Sequence, residues 1–215
     1  KERALWDDYM KYYEEAIKLK IQFNGEKDTN LSNTYNNLGN TYFHLGDYNK
    51  ALIFYKKAIK NASCRIVPDC PDMAMLNLSL AITYSIKGDF DNARFHYLES
   101  LRIGRKVYRE DDEDYSRILM NIGTFYNQLG YFENALAALN AAKMVFQNKF
   151  GNNYYELGYI YTNIGKIYSD IGDIEKALNF FYKALQIYKS NYNANHPEIA
   201  STYMNIGRCF YEKKE

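Results

Sequence analysis

From Leu31 onward the chain falls into segments whose apolar residues recur three and four positions apart. Tyr35, Leu38, Tyr42 and Leu45 form one such stripe, and their spacing predicts a helix over 31–45; a comparable stripe runs over 155–171. Segments of this kind end on Gly46, Gly88, Gly130 and Gly172, and glycine tolerates the positive φ that closes a helix. In three cases an aspartate follows, at Asp47, Asp89 and Asp173, a residue type that caps the next helix by accepting from its backbone N–H groups. Asp69-Cys70-Pro71-Asp72 and Asn195-His196-Pro197-Glu198 place proline and acids in a first turn, so they predict further helix starts. The pattern is helix, tight turn, helix, loop, repeated.

The repetition is regular. Gly39, Ala81, Gly123, Gly165 and Gly207 follow one another at intervals of 42 residues with no insertion. The column Ala51, Ala93, Ala135, Ala177 keeps the same interval, as does Ala16, Ala58, Ser100, Ala142, Ala184. Aromatic columns run beside them: Tyr42, Tyr84, Tyr126, Tyr168, Phe210, and Tyr48, Phe90, Phe132. Small residues let two helices approach closely, and the aromatics fill the space at their flanks. Even the loops keep the period, because Pro71 and Pro197 lie three intervals apart. An internal repeat of this length points to an array of stacked units.

These residues resemble the tetratricopeptide repeat. Leu38-Gly39-x-x-Tyr42, Gly46-Asp47-Tyr48, Ala51, Tyr55 and Ala58 follow its pattern, which recurs through the whole chain. The usual unit of that family has about 34 residues. The longer unit here, with the His-Pro-x-x-Ala loop at His196 to Ala200, is similar to the kinesin-light-chain type, although His-Pro occurs once and Cys70-Pro71 matches in part. The resemblance implies an all-α, right-handed superhelical solenoid of antiparallel helix pairs whose first helices line a concave, peptide-binding face. One solenoid over 1–215 is expected: a capping half-repeat at 1–24, repeats at 29–66, 71–108, 113–150 and 155–192, and a half-repeat at 197–213. Because the chain opens on Lys1 inside a second helix and closes after a first helix, a fragment of a longer protein is expected. In the opening helix Tyr9 stands where the other units have alanine, which predicts a cap or a looser fit.

Composition narrows the function. There are 27 Lys and Arg against 26 Asp and Glu, a formal charge of +1, which lacks the basic surplus of a nucleic-acid or anionic-membrane binder. Mean hydropathy is −0.52, and no apolar run approaches the roughly 20 residues of a membrane span. A cytoplasmic setting is expected. Three cysteines, Cys64, Cys70 and Cys209, fit a reduced compartment better than a disulfide scaffold; Cys64 and Cys70, in the longest loop, either pair by oxidation or, the favoured reading, stay free thiols. His44, His96 and His196 have no metal-ligand spacing with them, and no phosphate loop or nucleophile motif occurs; no metal, cofactor or enzyme activity is expected. The run from Glu110 to Asp114 is either a docking patch for a basic partner or, the favoured reading, a solvated loop before a helix.

The candidate site lies on the predicted concave face. Asn37, Ser79, Asn121, Asn163 and Asn205 form one column there, and an asparagine amide can satisfy both polar groups of a peptide unit. Against this stands the abundance of asparagine, with 23 in the chain, which can fill columns without function. Asn33, Asn36 and Asn40 add amides; Arg117, Lys166 and Arg208 add positive charge, partly offset by Asp170 and Glu212, and favour an acidic ligand. The chaperone-binding clamp of the family is incomplete here. Met75, Leu78 and Ile82 predict a pocket for an apolar anchor. Off the columns, Tyr159 and Tyr211 remain candidates. In the last half-repeat, Ile199, Tyr203, Ile206 and Phe210 form a stripe partly open to water, and Ile206 and Phe210 are candidates for self-association.

The sequence therefore predicts a non-catalytic scaffold that binds a protein or peptide in its groove, with no nucleic-acid or membrane partner. Two alternatives stay open: a regulatory or sensory region of a larger enzyme that binds its own linker or catalytic domain, and a self-assembling structural scaffold.

Overall fold

The computed structural model describes residues 2–25, 30–62 and 69–213, with the side chains of residues 2–9 and Asn30 left outside the description. Among the described residues there are ten α-helices and no strand. They form two compact units, 1–108 and 109–215. The first holds α1 (Glu2–Asn24), α2 (Asn30–His44), α3 (Tyr48–Asn61), α4 (Pro71–Ile86) and α5 (Phe90–Val107). The second holds α6 (Glu113–Gln128), α7 (Phe132–Phe150), α8 (Tyr155–Ile171), α9 (Ile174–Asn191) and α10 (Pro197–Glu212). Within the first unit α2 pairs with α3 and α4 with α5, while α1 packs on α2 and α3 on α4. Within the second, α6 pairs with α7 and α8 with α9; α7 packs on α8, α9 on α10, and α8 also touches α6 and α10.

The turns follow from their glycines. Gly46 has φ +79°, its N–H donates to Phe43 O at 3.0 Å, and the Asp47 N–H reaches back to Tyr42 O at 2.9 Å. This pair of bonds satisfies the carbonyls that a helix end leaves open. The Asp47 carboxylate then accepts from Lys50 N at 3.1 Å and starts α3. Gly88–Asp89 and Gly172–Asp173 repeat both halves of the device, whereas Tyr131 in the third hairpin supplies no side-chain cap. Thus one dipeptide ends one helix and begins the next.

Close approach of the paired helices rests on the glycine column. A Cβ on Gly39 would meet Tyr55 Cε1 at 2.5 Å, one on Gly123 would meet Leu139 Cγ at 2.7 Å, and one on Gly165 would meet Phe181 Cε1 at 2.7 Å. The facing alanines Ala51, Ala93, Ala135 and Ala177 are fully buried. Where the small columns use serine, the hydroxyl finds the partner helix: Ser32 donates to Ala58 O at 3.0 Å and Ser100 to Ala74 O at 2.8 Å. In the second unit Leu139, Phe146, Ile160 and Ile164 form one core cluster, and Phe181, Tyr188, Ile199, Ile206 and Cys209 another. Burial of each such side chain contributes about 1.5–3 kcal/mol.

A second aromatic layer repeats beside this core. Tyr42 stacks on Phe54 at 5.3 Å and Tyr168 on Phe180 at 5.5 Å. At the equivalent place in α4 and α5, His96 replaces the phenylalanine and stacks on Tyr84 at 5.5 Å. Its Nδ1 lies 2.8 Å from Asn77 Oδ1, an acceptor, which makes Nδ1–H the donor.

One expectation fails at the cysteines. Cys70 is disulfide-bonded rather than a free thiol; Cys64 lies outside the described residues, as does the side chain of Tyr9, and Cys209 is free and buried. Beside Cys70, Asp69 accepts from Arg102 at 2.7 Å and Lys106 at 2.6 Å, which brings its carboxyl down to about 2 and ties the approach to α4 onto α5.

Two predictions follow from this packing. Gly165→Ala is expected to destabilise the fold by about 1–3 kcal/mol through overpacking against Phe181. Gly207→Ala, in the same column but with nothing within 4 Å, should be neutral or gain up to about 1 kcal/mol from helix propensity. Urea denaturation of the two variants reads the difference in sign. The second concerns His96, whose imidazole is held below its ordinary value by burial first and the Lys56 ammonium second, with Glu99 opposing. The unfolded chain therefore binds that proton more readily, and this contribution to stability is lost as pH falls below the ordinary histidine value of about 6.5. Between about pH 7.5 and about pH 5.5, above the carboxylate range, His96→Phe should lower the pH sensitivity of the melting temperature.

Candidate functional site

The candidate residues fall into two groups, one per unit. In the first, Asn33 and Asn37 on α2 are exposed, while Asn36 and Asn40 are half-buried. Asn40 Oδ1 accepts from the buried Tyr55 hydroxyl at 2.8 Å, so its carbonyl serves the α2–α3 contact. Asn37 Nδ2 donates to Tyr13 of α1 at 3.3 Å, and Asn36 Oδ1 is buried without a partner. On α4, Met75 and Ile82 are half-buried and Ser79 donates back to Met75 O at 3.1 Å. Leu78 is only 4% exposed. It belongs to the core, because α4 is apolar over most of its circumference, and it does not line an open pocket.

In the second unit, Asn121 on α6, Asn163 on α8 and Asn205 on α10 occupy the same position of three first helices, and α8 touches both of the others. Asn121 spends one amide hydrogen on Arg117 O at 2.8 Å, in its own helix. The Asn205 amide nitrogen is buried without a partner, and Asn163 makes no hydrogen bond among the described residues. One turn along, Lys166 forms no ion pair among the described residues. Arg208 meets Glu212 at 3.5 Å and Ser169 Oγ at 3.4 Å but stays exposed.

Arg117 is not a free charge. Its guanidinium bonds Glu156 at 3.1 Å, Asp114 at 3.4 Å and Glu113 at 2.5 Å. Tyr154 and Tyr155 hydroxyls donate to Glu113 and Glu156, each at 3.2 Å. Burial opposes the charged guanidinium, yet the Glu156 bond and neighbouring carboxylates hold its affinity for the proton above the ordinary arginine value. This network fastens α6 to the start of α8, with Arg117 at its centre and Glu156 buried beneath it. Sequence reasoning missed Glu156 because an acid in a first turn reads as a helix-dipole partner, as Asp72 and Glu198 also do.

The acidic run is accounted for locally. Asp112 caps α6 by accepting from Asp114 N at 2.9 Å, Asp111 pairs with Arg109 at 3.1 Å, and Glu113 and Asp114 serve Arg117. At the last helix, Ile206 is 7% exposed and packs in the α9–α10 core, whereas Phe210 is 49% exposed beside exposed Tyr203, Met204 and Tyr211. Tyr159 is half-buried with its ring edge on Tyr188 at 5.5 Å. Among the described residues no three His, Cys, Asp or Glu side chains are placed to hold a metal, and no helix is long and apolar enough to cross a membrane.

The tetratricopeptide repeat family model matches residues 10–63, 72–143, 114–190 and 156–215. The chain belongs to the tetratricopeptide repeat family. Repeats of this family generally mediate protein–protein interaction, and the fold is typically a non-catalytic interaction module. The chain is similar to the crystal structure of BtubC (BKLC) from P. vanneervenii, with 22% identity and a TM-score of 0.78 over 97% of this chain and 83% of that one. It is also similar to a putative kinesin light chain with nearly identical TPR-like repeats from Podosopora anserina, at 13% identity and TM-score 0.68 over 85% and 86% of the two chains. PilF of Pseudomonas aeruginosa shares 21% identity at TM-score 0.62 over 86% of this chain and 70% of that one. At these identities the likeness shows the fold, and the neighbours include kinesin-light-chain-like repeat proteins. No curated protein matches the chain.

The Arg117 network yields its own prediction. Arg117→Met leaves the buried Glu156 carboxylate without its cation and is expected to cost about 3 kcal/mol. Adding Glu156→Gln should restore much of that loss, and thermal unfolding of the single and double variants measures the coupling.

Proposed function

We infer that this chain is a non-catalytic module that binds an extended peptide of a protein partner along the first helices of its second unit. The observation that carries the reading is the row Asn121, Asn163 and Asn205, in which, among the described residues, half-buried Asn163 makes no hydrogen bond and the Asn205 amide nitrogen has no partner. The half-buried Asn163 amide is open to a peptide unit, whereas the Asn205 amide nitrogen, which has no exposed surface, meets one only after its side chain rotates. Lys166 and Arg208 favour acidic side chains in that peptide. In the first unit Met75 and Ile82 would take an apolar anchor. Enzyme activity and a nucleic-acid or membrane partner form no part of the proposal. A cytoplasmic setting does, and the disulfide at Cys70 is the feature that runs against it.

A second reading, self-association through α10, is supported by the exposure of Phe210 with Tyr203, Met204 and Tyr211. Buried Ile206 would act only from within. Light scattering over a concentration series tests it: association that Phe210→Ser abolishes is expected, and a strict monomer at high concentration contradicts it.

For the principal reading, a partner recovered by affinity purification is titrated calorimetrically against the chain. Asn163→Ala and Asn205→Ala should each weaken binding by about 1 kcal/mol with the fold intact. Affinity should also fall as added salt brings the screening length below about 8 Å. Unchanged affinity in both variants would remove the asparagine row from the mechanism.

A further inference from the structure

The repeat makes departures from it informative. Helix α3 carries Lys50, Lys56, Lys57 and Lys60 and no acidic residue. All four lysines are exposed, and among the described residues only Lys50 has a carboxylate within ion-pair distance, Asp47 at 3.5 Å. One and two periods on, the places of Lys56 and Lys60 are taken by Leu98 and Asn140 and by Arg102 and Met144. The fold therefore does not require lysine there. Lys56 and Lys60 are one helical turn apart, and like charges at that spacing disfavour the helix.

Apolar side chains interrupt this basic face. Ile53, in the middle of it, is 52% exposed, and Phe95, its equivalent on α5, is 62% exposed. A chain of contacts joins the two helices: Lys56 Nζ lies 5.6 Å from the Tyr84 ring, Tyr84 stacks on His96, and His96 meets Phe95 edge-on at 5.1 Å. From the end of α4, the Lys87 ammonium hydrogen-bonds Asn49 Oδ1 of α3. Three of the four lysines are held over rings, Lys50 on Tyr42 at 5.0 Å, Lys56 on Tyr84 and Lys57 on Phe54 at 5.2 Å, which limits the freedom they would lose on binding.

We propose that this outer face of the first unit, Lys56, Lys57 and Lys60 with Ile53 and Phe95, docks an acidic polypeptide segment that carries an aromatic or aliphatic anchor. The surface lies on second helices and is distinct from the first-helix face of the second unit. Charge complementarity sets the acidic character, and the exposed Ile53 and Phe95 call for an apolar group. Lys50 to Lys60 spans about 15 Å of helix, the length of about five extended residues. Asp89 lies within electrostatic reach of Lys56 on the α5 side, and α5 itself carries Asp91 and Glu99. A narrow peptide can follow the basic strip, whereas a flat anionic bilayer would press those carboxylates against its phosphates. A nucleic acid would need a longer basic track than α3 offers.

The test uses the whole chain and a fluorescent twelve-residue peptide of repeated Glu-Glu-Phe, read by anisotropy. Lys56→Glu, Lys57→Glu and Lys60→Glu combined should weaken binding at least tenfold, and the glutamine triple, which keeps the stems, at least threefold with native circular dichroism. Phe95→Ala should weaken binding about threefold without changing its salt dependence, and the loss caused by the lysine charge reversal should keep its size in a chain that also carries Asn163→Ala and Lys166→Ala. No binding by the unaltered chain, equal binding by both lysine triples, or loss only in the Asn163 and Lys166 variant would overturn the proposal. So would lysine-dependent binding of phosphatidylserine vesicles or a single-stranded 20-mer DNA in place of the peptide.

Discussion

Contact between paired helices at the glycine column sets the geometry on which everything else depends. Gly39, Gly123 and Gly165 leave room for Tyr55, Leu139 and Phe181 at distances that a Cβ would occupy. That approach buries the alanine columns, brings the serine hydroxyls within reach of partner carbonyls, and fixes how each first helix is presented. The Gly-Asp turns complete the pairing by closing one helix and opening the next with the same few backbone bonds. Energetically the fold is a sum of similar local contributions, as expected of a repeat array.

Such regularity separates structural from functional residues. Tyr42, Tyr84 and Tyr168 hold equivalent stacks, and Asp47, Asp89 and Asp173 hold equivalent caps. Residues that break a column stand out against this background: His96 where a phenylalanine would serve, Arg117 with three carboxylates, and the lysines of α3. The first-helix asparagines are a mixed case. They recur, yet Asn121 is partly used within its own helix while Asn163 and Asn205 are not.

Helix pairing, turn chemistry and the small-residue columns were legible in the sequence because each depends on residues close in the chain or repeated at a fixed period. The roles of individual polar side chains were not. Arg117 and Glu156 are 39 residues apart, and neither periodicity nor composition shows that the charge of one is spent on the other. Leu78 sits in an inner-face column but is buried, since α4 has apolar residues on nearly every side. Asn40 likewise looks like its neighbours until the Tyr55 hydroxyl is placed beside it. Long-range pairing decides which members of a column remain available to a ligand, and a column records only position.

The central claim is that the free amides of Asn163 and Asn205 meet the backbone of a bound peptide. Nuclear magnetic resonance of the side-chain NH₂ groups tests it most directly, with the isotope-labelled chain titrated by its recovered partner. The account predicts that the Asn163 and Asn205 amide signals shift and gain protection from solvent exchange, while exposed Asn179 on α9 stays unchanged. Saturated binding with both inner-face signals unmoved would contradict it.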